Sequence, residues 1–301
     1  MSQTFVETHG KRLSLSNLEK DLYPSYGFTK ARILEYYHGI EAFILPHLKD
    51  RALTLKRYPE GVDKNFFFEK RCPGHRPDWV KTATITRHAA EPMTFCLVND
   101  LETLIWVENL ASLELHVPLA RAFRPETPDS MVFDLDPGDA ADILDCARVA
   151  LVLRDLLHQS GLASYVKTSG RKGLHVCVPL NRQETTFEDT KTFSRAVAGL
   201  MQKHYPDLVT ANMSKKERTA RVFINWSQND ASKTMIVVYS LRAREKPFVS
   251  FPLAWKDVEN AAGSGDAGGL QVLHSEALRR VERTGDLFRE MLVKEQRLPH
   301  M

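Results

Sequence analysis

The 301-residue sequence holds only four cysteines, Cys72, Cys96, Cys146 and Cys177. They are scattered, which excludes a disulfide-dense scaffold and gives no zinc-type spacing. A reducing cytoplasm is the expectation that follows. No apolar run approaches the length of a membrane span, and the polar start Met1-Ser2-Gln3-Thr4 lacks a basic-then-apolar leader. A soluble protein with no membrane partner is expected. Internal repeats and low-complexity tracts are absent. The nearest thing to a linker, residues 260–269, is rich in Gly and Ala and reads as a flexible loop. Neither sign of charge dominates: 41 Lys and Arg against 38 Asp and Glu leave +3, too little to argue for a polyanionic partner without local clustering. With 43% hydrophobic residues, the chain can bury a full core as one large domain or two packed lobes.

The stretch Met131-Val-Phe-Asp-Leu-Asp-Pro-Gly138 stands out within this ordinary composition. It is strand-like, and side chains alternate along a strand. Asp134 and Asp136 therefore share one face while Phe133 and Leu135 enter the core on the other. Two neighbouring carboxylates repel unless a cation sits between them, and a divalent metal with an oxygen shell is the natural occupant. So short a motif is more often a solvent-facing acidic strand end closed by a Pro-Gly turn. The downstream sequence favours the metal.

In chain order, Thr29 is placed to cap a helix whose stripe of Ile33, Tyr36, Tyr37, Ile40 and Ile44 ends near Pro46. Residues 53–59 alternate like a strand. Phe66-Phe-Phe68 beside basic residues is either a stacking platform for bases or, somewhat more often for such a run, a buried strand. A strand over 93–98 precedes a helix capped at Asn99 or Asp100. His116 is either a satisfied core histidine or a polar group near a site. After the Asp134 strand, a helix over 140–160 stops at Gly161. Thr168-Ser-Gly-Arg-Lys-Gly-Leu-His175 lies between two strands. Its glycines let the backbone approach a ligand, and Ser169, Arg171, Lys172 and His175 supply phosphate donors. It lacks the Walker spacing. A mobile basic loop at 214–218, strands over 221–226 and 237–241, and an amphipathic helix over 275–294 complete the chain.

Five blocks recur together in one family: Asn17 with Lys20-Asp-Leu-Tyr-Pro24; Phe67-Phe-Glu-Lys70; Phe133-Asp-Leu-Asp-Pro-Gly138; Ser169-Gly-Arg-Lys-Gly-Leu-His175; and Trp226-Ser-Gln-Asn229 with Lys233-Thr234 and Tyr239-Ser-Leu-Arg242. In this set and order the chain resembles the polymerase domain of bacterial DNA ligase D, of the archaeo-eukaryotic primase superfamily. The resemblance implies an α+β, two-lobed primase-type fold with antiparallel sheets around a central metal-binding cleft. It divides the chain into an N-terminal lobe (1–125), a catalytic lobe (126–256), and a loop with a C-terminal helix (257–301). It also implies a DNA/RNA polymerase of the bacterial cytoplasm and nucleoid. Such an enzyme fills gaps and extends 3′ ends at DNA breaks in non-homologous end joining, with Ku and a ligase as partners. Mn²⁺ or Mg²⁺ would be the cofactor, and NTP or dNTP the substrate, ribonucleotides being preferred.

By the same resemblance Asp134 and Asp136 ligate the metals, and Lys56 and His116 line the active site. Ser169, Lys172, His175, Gln228, Lys233 and Arg242 hold the triphosphate. Phe67 and Phe68 stack on the template where it bends. Asn17, Lys20 and Lys30 form a pocket for the 5′-phosphate across a gap, which fits an amide and two ammonium groups beside a helix N-terminus. One position departs. Asn225 stands where the family has a third aspartate, the ligand completing the shell of the metal that activates the primer hydroxyl. Asparagine keeps the shape and a carbonyl oxygen but removes one charge. The expectation is impaired catalysis with nucleotide and DNA-end binding kept. A catalytically degenerate module for end binding and synapsis is the alternative, and a metal phosphodiesterase fits the triphosphate donors less well.

Overall fold

The computed structural model describes residues 3–86, 91–182 and 184–299; Met1 and Ser2 of the polar start lie outside them. A hairpin of β1 (Gln3–Thr8) and β2 (Lys11–Ser16) opens the chain. The short pair β3 (Asp21–Tyr23) and β4 (Phe28–Thr29) leads into α1 (Lys30–Gly39), where the Thr29 hydroxyl accepts from the Arg32 N–H. The expected single helix breaks at Ile40 and resumes as α2 (Glu41–Leu48), with Pro46 inside it. Ile33, Tyr37, Ile40 and Ile44 are all fully buried, so the stripe marked a core face without guaranteeing one continuous helix.

Next come β5 (Thr54–Arg57), β6 (Phe67–Glu69), the hairpin of β7 (Thr82–Ile85) with β8 (Met93–Cys96), α3 (Leu101–Asn109) and β9 (Glu114–Val117). Asp100 caps α3 by accepting from the Thr103 N–H. Cys72 and Cys96 form a disulfide, contrary to the expectation of unpaired thiols. The cause is local: Cys72 N–H donates to Thr94 O at 2.8 Å, which lays the chain after β6 beside the end of β8. Cys146 and Cys177 are buried and free.

β10 (Ser130–Pro137) carries the two aspartates. It is followed by α4 (Ile143–Gln159), β11 (Tyr165–Thr168), β12 (Leu174–Pro179), α5 (Phe187–His204), β13 (Val209–Thr210), β14 (Val222–Asn225), β15 (Met235–Ile236), β16 (Leu241–Arg242), β17 (Phe248–Val249) and β18 (Pro252–Leu253). Asp142 and Thr186 each close a capping box at the start of α4 and α5. The strand expected over 237–241 is split, because Tyr239 adopts a left-handed φ of 69° between β15 and β16. The basic segment expected to be mobile forms a 3₁₀ turn, Lys215–Arg218, and the chain just after it is tied down by Ala220 N–H to Asp139 O and Gly138 N–H to Arg221 O. The flexible loop read from composition is also wrong over its first half. Residues 260–264 belong to α6 (Trp255–Ser264), which buries Val258 and Ala261 and is closed at its C-terminal end by Gly265 at a left-handed φ of 74°. The last helix, α7 (His274–Thr284), ends earlier than expected, at Gly285.

Two sheets frame the molecule: a six-stranded one ordered β13-β14-β10-β12-β11-β18, antiparallel except for β13 with β14, and an antiparallel four-stranded one ordered β15-β9-β5-β6. This is the expected mixed α/β architecture built on antiparallel sheets. α4 packs on β10 and β12, with α6 behind it. Phe133 and Leu135 are wholly buried, as alternation along β10 required. One hydrophobic core runs from the α1–α3 region through both sheets to α7. Among the described residues no helix is long and apolar enough to cross a membrane.

Candidate active site

Register across the large sheet brings together residues that lie far apart in sequence. Asp134 on β10 is opposite His175 on β12 and opposite Asn225 on β14, and His175 is in turn opposite Lys167 on β11. Asn225, Asp134, His175 and Lys167 thus form one row over four strands, on one face. Within it His175 Nε2 lies 3.2 Å from Asp134 Oδ1, and Asn225 Nδ2 donates to Asp134 Oδ2 at 3.2 Å. The Asn225 carbonyl accepts from Ser227 Oγ at 2.8 Å, and that hydroxyl accepts from Lys233 Nζ at 2.7 Å. Beside an ionised Asp134, only the amide N–H of Asn225 can face inward. The carbonyl oxygen that the sequence reading kept available for a metal is therefore turned away, toward Ser227.

Burial pushes the Asp134 carboxyl up, but the His175 charge and the hydrogen bonds from His175 and Asn225 more than offset it, leaving it below the usual range. Asp136, two residues on along the same face, shows the opposite. Desolvation and then the Asp134 charge raise it to about 6. Desolvation, followed by the Lys167 charge, lowers His175 to about 4, so its ring is neutral at pH 7. Among the described residues neither carboxylate is ion-paired to a lysine or arginine, which fits a hard divalent cation with oxygen ligands. The oxygen donors of the pair come from Asp134 and Asp136, with an asparagine at 225. Among the described residues no group of three or more His, Cys, Asp and Glu is placed to hold a metal.

The loop between β11 and β12 is pressed onto this row. A Cβ on Gly173 would stand 1.9 Å from Leu135 O, and one on Gly170, at φ +69°, 2.5 Å from Arg242 Cγ. Ser169 Oγ accepts from the Arg171 and Gly173 N–H groups at 3.2 Å each, leaving its own proton to donate outward. Lys172 is exposed on the same loop. Gln228 Nε2 donates to Thr234 O at 2.8 Å, which fixes it beside Lys233. Asn229, fully buried, bonds both the N–H and the C=O of Val132 with its side-chain amide (2.8 and 2.7 Å). It thereby replaces a strand neighbour where β14 ends and keeps Ser227, Gln228 and Lys233 against β10.

The small sheet meets this site through Arg171 and Arg242. Lys56 on β5 is opposite Glu114 on β9 and Phe68 on β6, and Thr54 is opposite His116. Phe68, Lys56, Glu114 and His116 therefore share a face. Glu114 was not singled out from the sequence, although its place two residues before His116 in a strand puts both on one side. It is 1% exposed and receives His116 Nε2 at 3.0 Å, Arg242 Nη1 at 3.3 Å, Arg171 Nη2 at 3.4 Å and Lys56 Nζ at 3.6 Å. Burial pushes Glu114 up, but the His116 hydrogen bond and the charges of Arg242, His116 and Lys56 hold it far below the carboxylate range. The buried aromatic strand favoured for residues 66–68 is overturned: Phe66, Phe67 and Phe68 are 49%, 46% and 55% exposed. Phe66 and Phe68 flank Lys56 Nζ, 4.0 and 5.7 Å from it, whereas Phe67 lies over Arg57 on the other face of β6.

Asn17, Lys20 and Lys30 gather at the N-terminus of α1. The Lys30 N–H donates to Lys20 O, the Lys20 N–H donates to Asn17 O, and Asn17 adopts a left-handed φ of 53°. Lys30 Nζ is buried against Ser16 O at 2.7 Å, and Lys20 Nζ meets Glu60 at 2.9 Å. Desolvation, then the charges of Lys20 and Arg57, lower Lys30 to about 8.

Two carboxylates, a bank of cations and an exposed aromatic edge are the groups this site brings together. Residues 29–288 match the model of the LigD primase-polymerase domain. The chain is 37% identical over 289 residues to the multifunctional non-homologous end joining DNA repair protein LigD of Mycobacterium tuberculosis (strain ATCC 25618 / H37Rv), covering 93% of this chain and 37% of that protein. It is 32% identical over 250 residues to the bifunctional non-homologous end joining protein LigD of Bacillus subtilis (strain 168), covering 83% and 40%. The solved polymerase domain from Mycobacterium tuberculosis ligase D in complex with DNA superposes with a TM-score of 0.86 at 35% identity, covering 95% of this chain and 99% of that one. The chain belongs to the LigD primase-polymerase domain family, and it spans under half the length of these curated relatives.

Proposed function

We propose that this chain is a metal-dependent nucleotidyltransferase that adds nucleotides, ribonucleotides by preference, at gapped or broken DNA ends in non-homologous end joining. The observation that carries the reading is the meeting of two faces: the Asn225–Asp134–His175 row, and the Lys56–Glu114–His116 face, whose Glu114 is reached by Arg171 and Arg242. Ser169, Lys172, His175, Gln228, Lys233, Arg242 and Lys56 hold the triphosphate, and His116 lines the active site on the same face as Lys56. Asp134 and Asp136 hold Mn²⁺ or Mg²⁺, which neutralises phosphate charge when bound. Ku, a ligase and DNA at the bacterial nucleoid are the partners this role requires. The lobes 1–125 and 126–256, with 257–301 as a C-terminal brace, give the division of labour.

A second reading is favoured by one observation. The Asn225 N–H already satisfies Asp134, as a cation would, so the pocket is self-contained without a second metal. On this reading the chain binds and aligns ends without extending them. Nucleotide addition on a 5′-phosphorylated gap separates the two: extension by this sequence supports the enzyme, and tight end binding without extension supports the module.

The 5′-phosphate pocket makes a pH-dependent prediction. Lys30 is charged below about 8 and loses its proton above it, so the preference for a 5′-phosphorylated gap is strong at pH 7 and fades toward pH 9. Lys20→Ala with Lys30→Ala should weaken that preference on the order of tenfold to a hundredfold at pH 7 and flatten the pH profile. Equal affinity of the parent for both gaps at pH 7 would remove the pocket. Phe67 and Phe68 flank β6 on opposite sides, which suits a strand bending over its edge. Phe67→Ala and Phe68→Ala should each weaken binding to a template overhang by about 1–3 kcal/mol, the worth of one stacked base. Because both rings are exposed, melting temperatures should hold; unchanged overhang affinity would assign them elsewhere.

A further inference from the structure

Glu114 is an acidic residue at the centre of the cation cluster assigned above to the triphosphate, and nothing in the proposed reaction uses it. Lys56, Arg171 and Arg242 approach it at 3.3–3.6 Å, longer than the 2.7–2.9 Å typical of a committed charge-assisted bond. Arg242 also keeps a buried Nε with no partner among the described residues. The cations are thus gathered by Glu114 yet not saturated by it. Three cationic side chains against one carboxylate leave a surplus that a metal-bound triphosphate matches.

We infer that Glu114 is a stand-in anion for the triphosphate: it orders Lys56, Arg171 and Arg242 in the empty cleft and competes with the incoming phosphates for them. This rests on the reading of the cleft as a triphosphate site. Binding transfers part of the attention of Arg171 and Arg242 from Glu114 to phosphate oxygens, and release of pyrophosphate returns it. Glu114 is therefore a positioning residue, and its removal has a sign that a merely structural role lacks. A structural residue, once lost, weakens binding. A competing anion, once lost, tightens it.

The probe is inorganic tripolyphosphate in magnesium buffer, titrated by calorimetry into the full chain. Glu114→Gln should bind it about tenfold tighter than the parent, because one opposing charge at contact range is gone. Nucleotide addition by the same variant, in the Asn225→Asp background, should show a lower KM and a lower kcat, since pyrophosphate leaves more slowly from a less ordered cluster. Glu114→Asp, which keeps the charge, should stay near the parent value. Should Glu114→Gln fold poorly, the charge-balanced pair remains: Arg171→Ala, at an exposed position, should weaken tripolyphosphate binding, and Arg171→Ala with Glu114→Gln should restore it. Weaker binding by Glu114→Gln and no restoration in the pair overturn the inference while leaving the triphosphate site standing. If the parent fails to bind tripolyphosphate, or Arg242→Ala binds it equally well, the site itself is misassigned and the inference falls with it.

Discussion

Asn225→Asp is expected to raise nucleotide addition on a 5′-phosphorylated gapped duplex in Mn²⁺ by about 10²–10³-fold, the usual worth of one electrostatic contact made at the reacting centre. The geometry explains why the effect should be so large. Among the described residues, the groups of the row that reach Asp134 are N–H donors, from His175 and Asn225. The Asn225 oxygen is engaged by Ser227, itself held by Lys233. A carboxylate at 225 would reverse this, presenting oxygen to Asp134 and creating a demand for a cation between them. The same substitution should destabilise the metal-free protein by about 1–3 kcal/mol, through a lost hydrogen bond and a new like-charge contact. Mn²⁺ should recover that loss, raising the melting temperature of Asn225→Asp more than that of the parent. A parent that already extends the primer at the aspartate variant's rate would show that two carboxylates suffice.

How much of this was legible in the sequence differs between residues for physical reasons. The aspartates of β10 were readable because period-two alternation alone places 134 and 136 together and buries 133 and 135. That Asn225 and His175 would both sit opposite Asp134 is a matter of register between strands forty or more residues apart, which no local pattern encodes. The resemblance to a known family brought those positions together; periodicity could not. Phe66, Phe67 and Phe68 were misjudged on propensity because β-prone aromatics are usually buried, whereas β6 is the edge of its sheet and leaves them open. Glycine and alanine in residues 260–269 suggested a loop, yet α6 carries Val258 and Ala261 into the core, and that packing outweighs weak propensity. Glu114 escaped notice, and Asn229, though part of a family block, was given no role, for a different reason. Each acts through partners from distant elements, and neither residue type signals burial on its own.

Asp134 is the residue whose loss should cost most. Asp134→Ala strips the partner from both His175 Nε2 and Asn225 Nδ2, so it should lower stability by about 1–3 kcal/mol as well as removing the ligand. Loss of activity in that variant alone would not separate the two effects. Asp134→Asn does separate them. Its side-chain carbonyl can still accept from Asn225, and the neutral His175 ring can accept from its amide, so the row stays hydrogen-bonded and the fold should melt near the parent temperature. What the variant lacks is charge. Metal-dependent binding of a nucleoside triphosphate should therefore weaken by on the order of 10²-fold or more in Asp134→Asn, while binding to a 5′-phosphorylated gapped duplex, which draws on Lys20, Lys30 and the exposed phenylalanines, should remain within about twofold. Asp136→Asn should weaken nucleotide binding less, because Asp136 is the more exposed of the two on β10 and water screens its charge more than that of Asp134. Nucleotide titrations with and without Mn²⁺, run beside duplex titrations on the same three proteins, test the ranking. Equal nucleotide affinity in all three would take the metal site away from β10, and with it the chemistry proposed for this cleft.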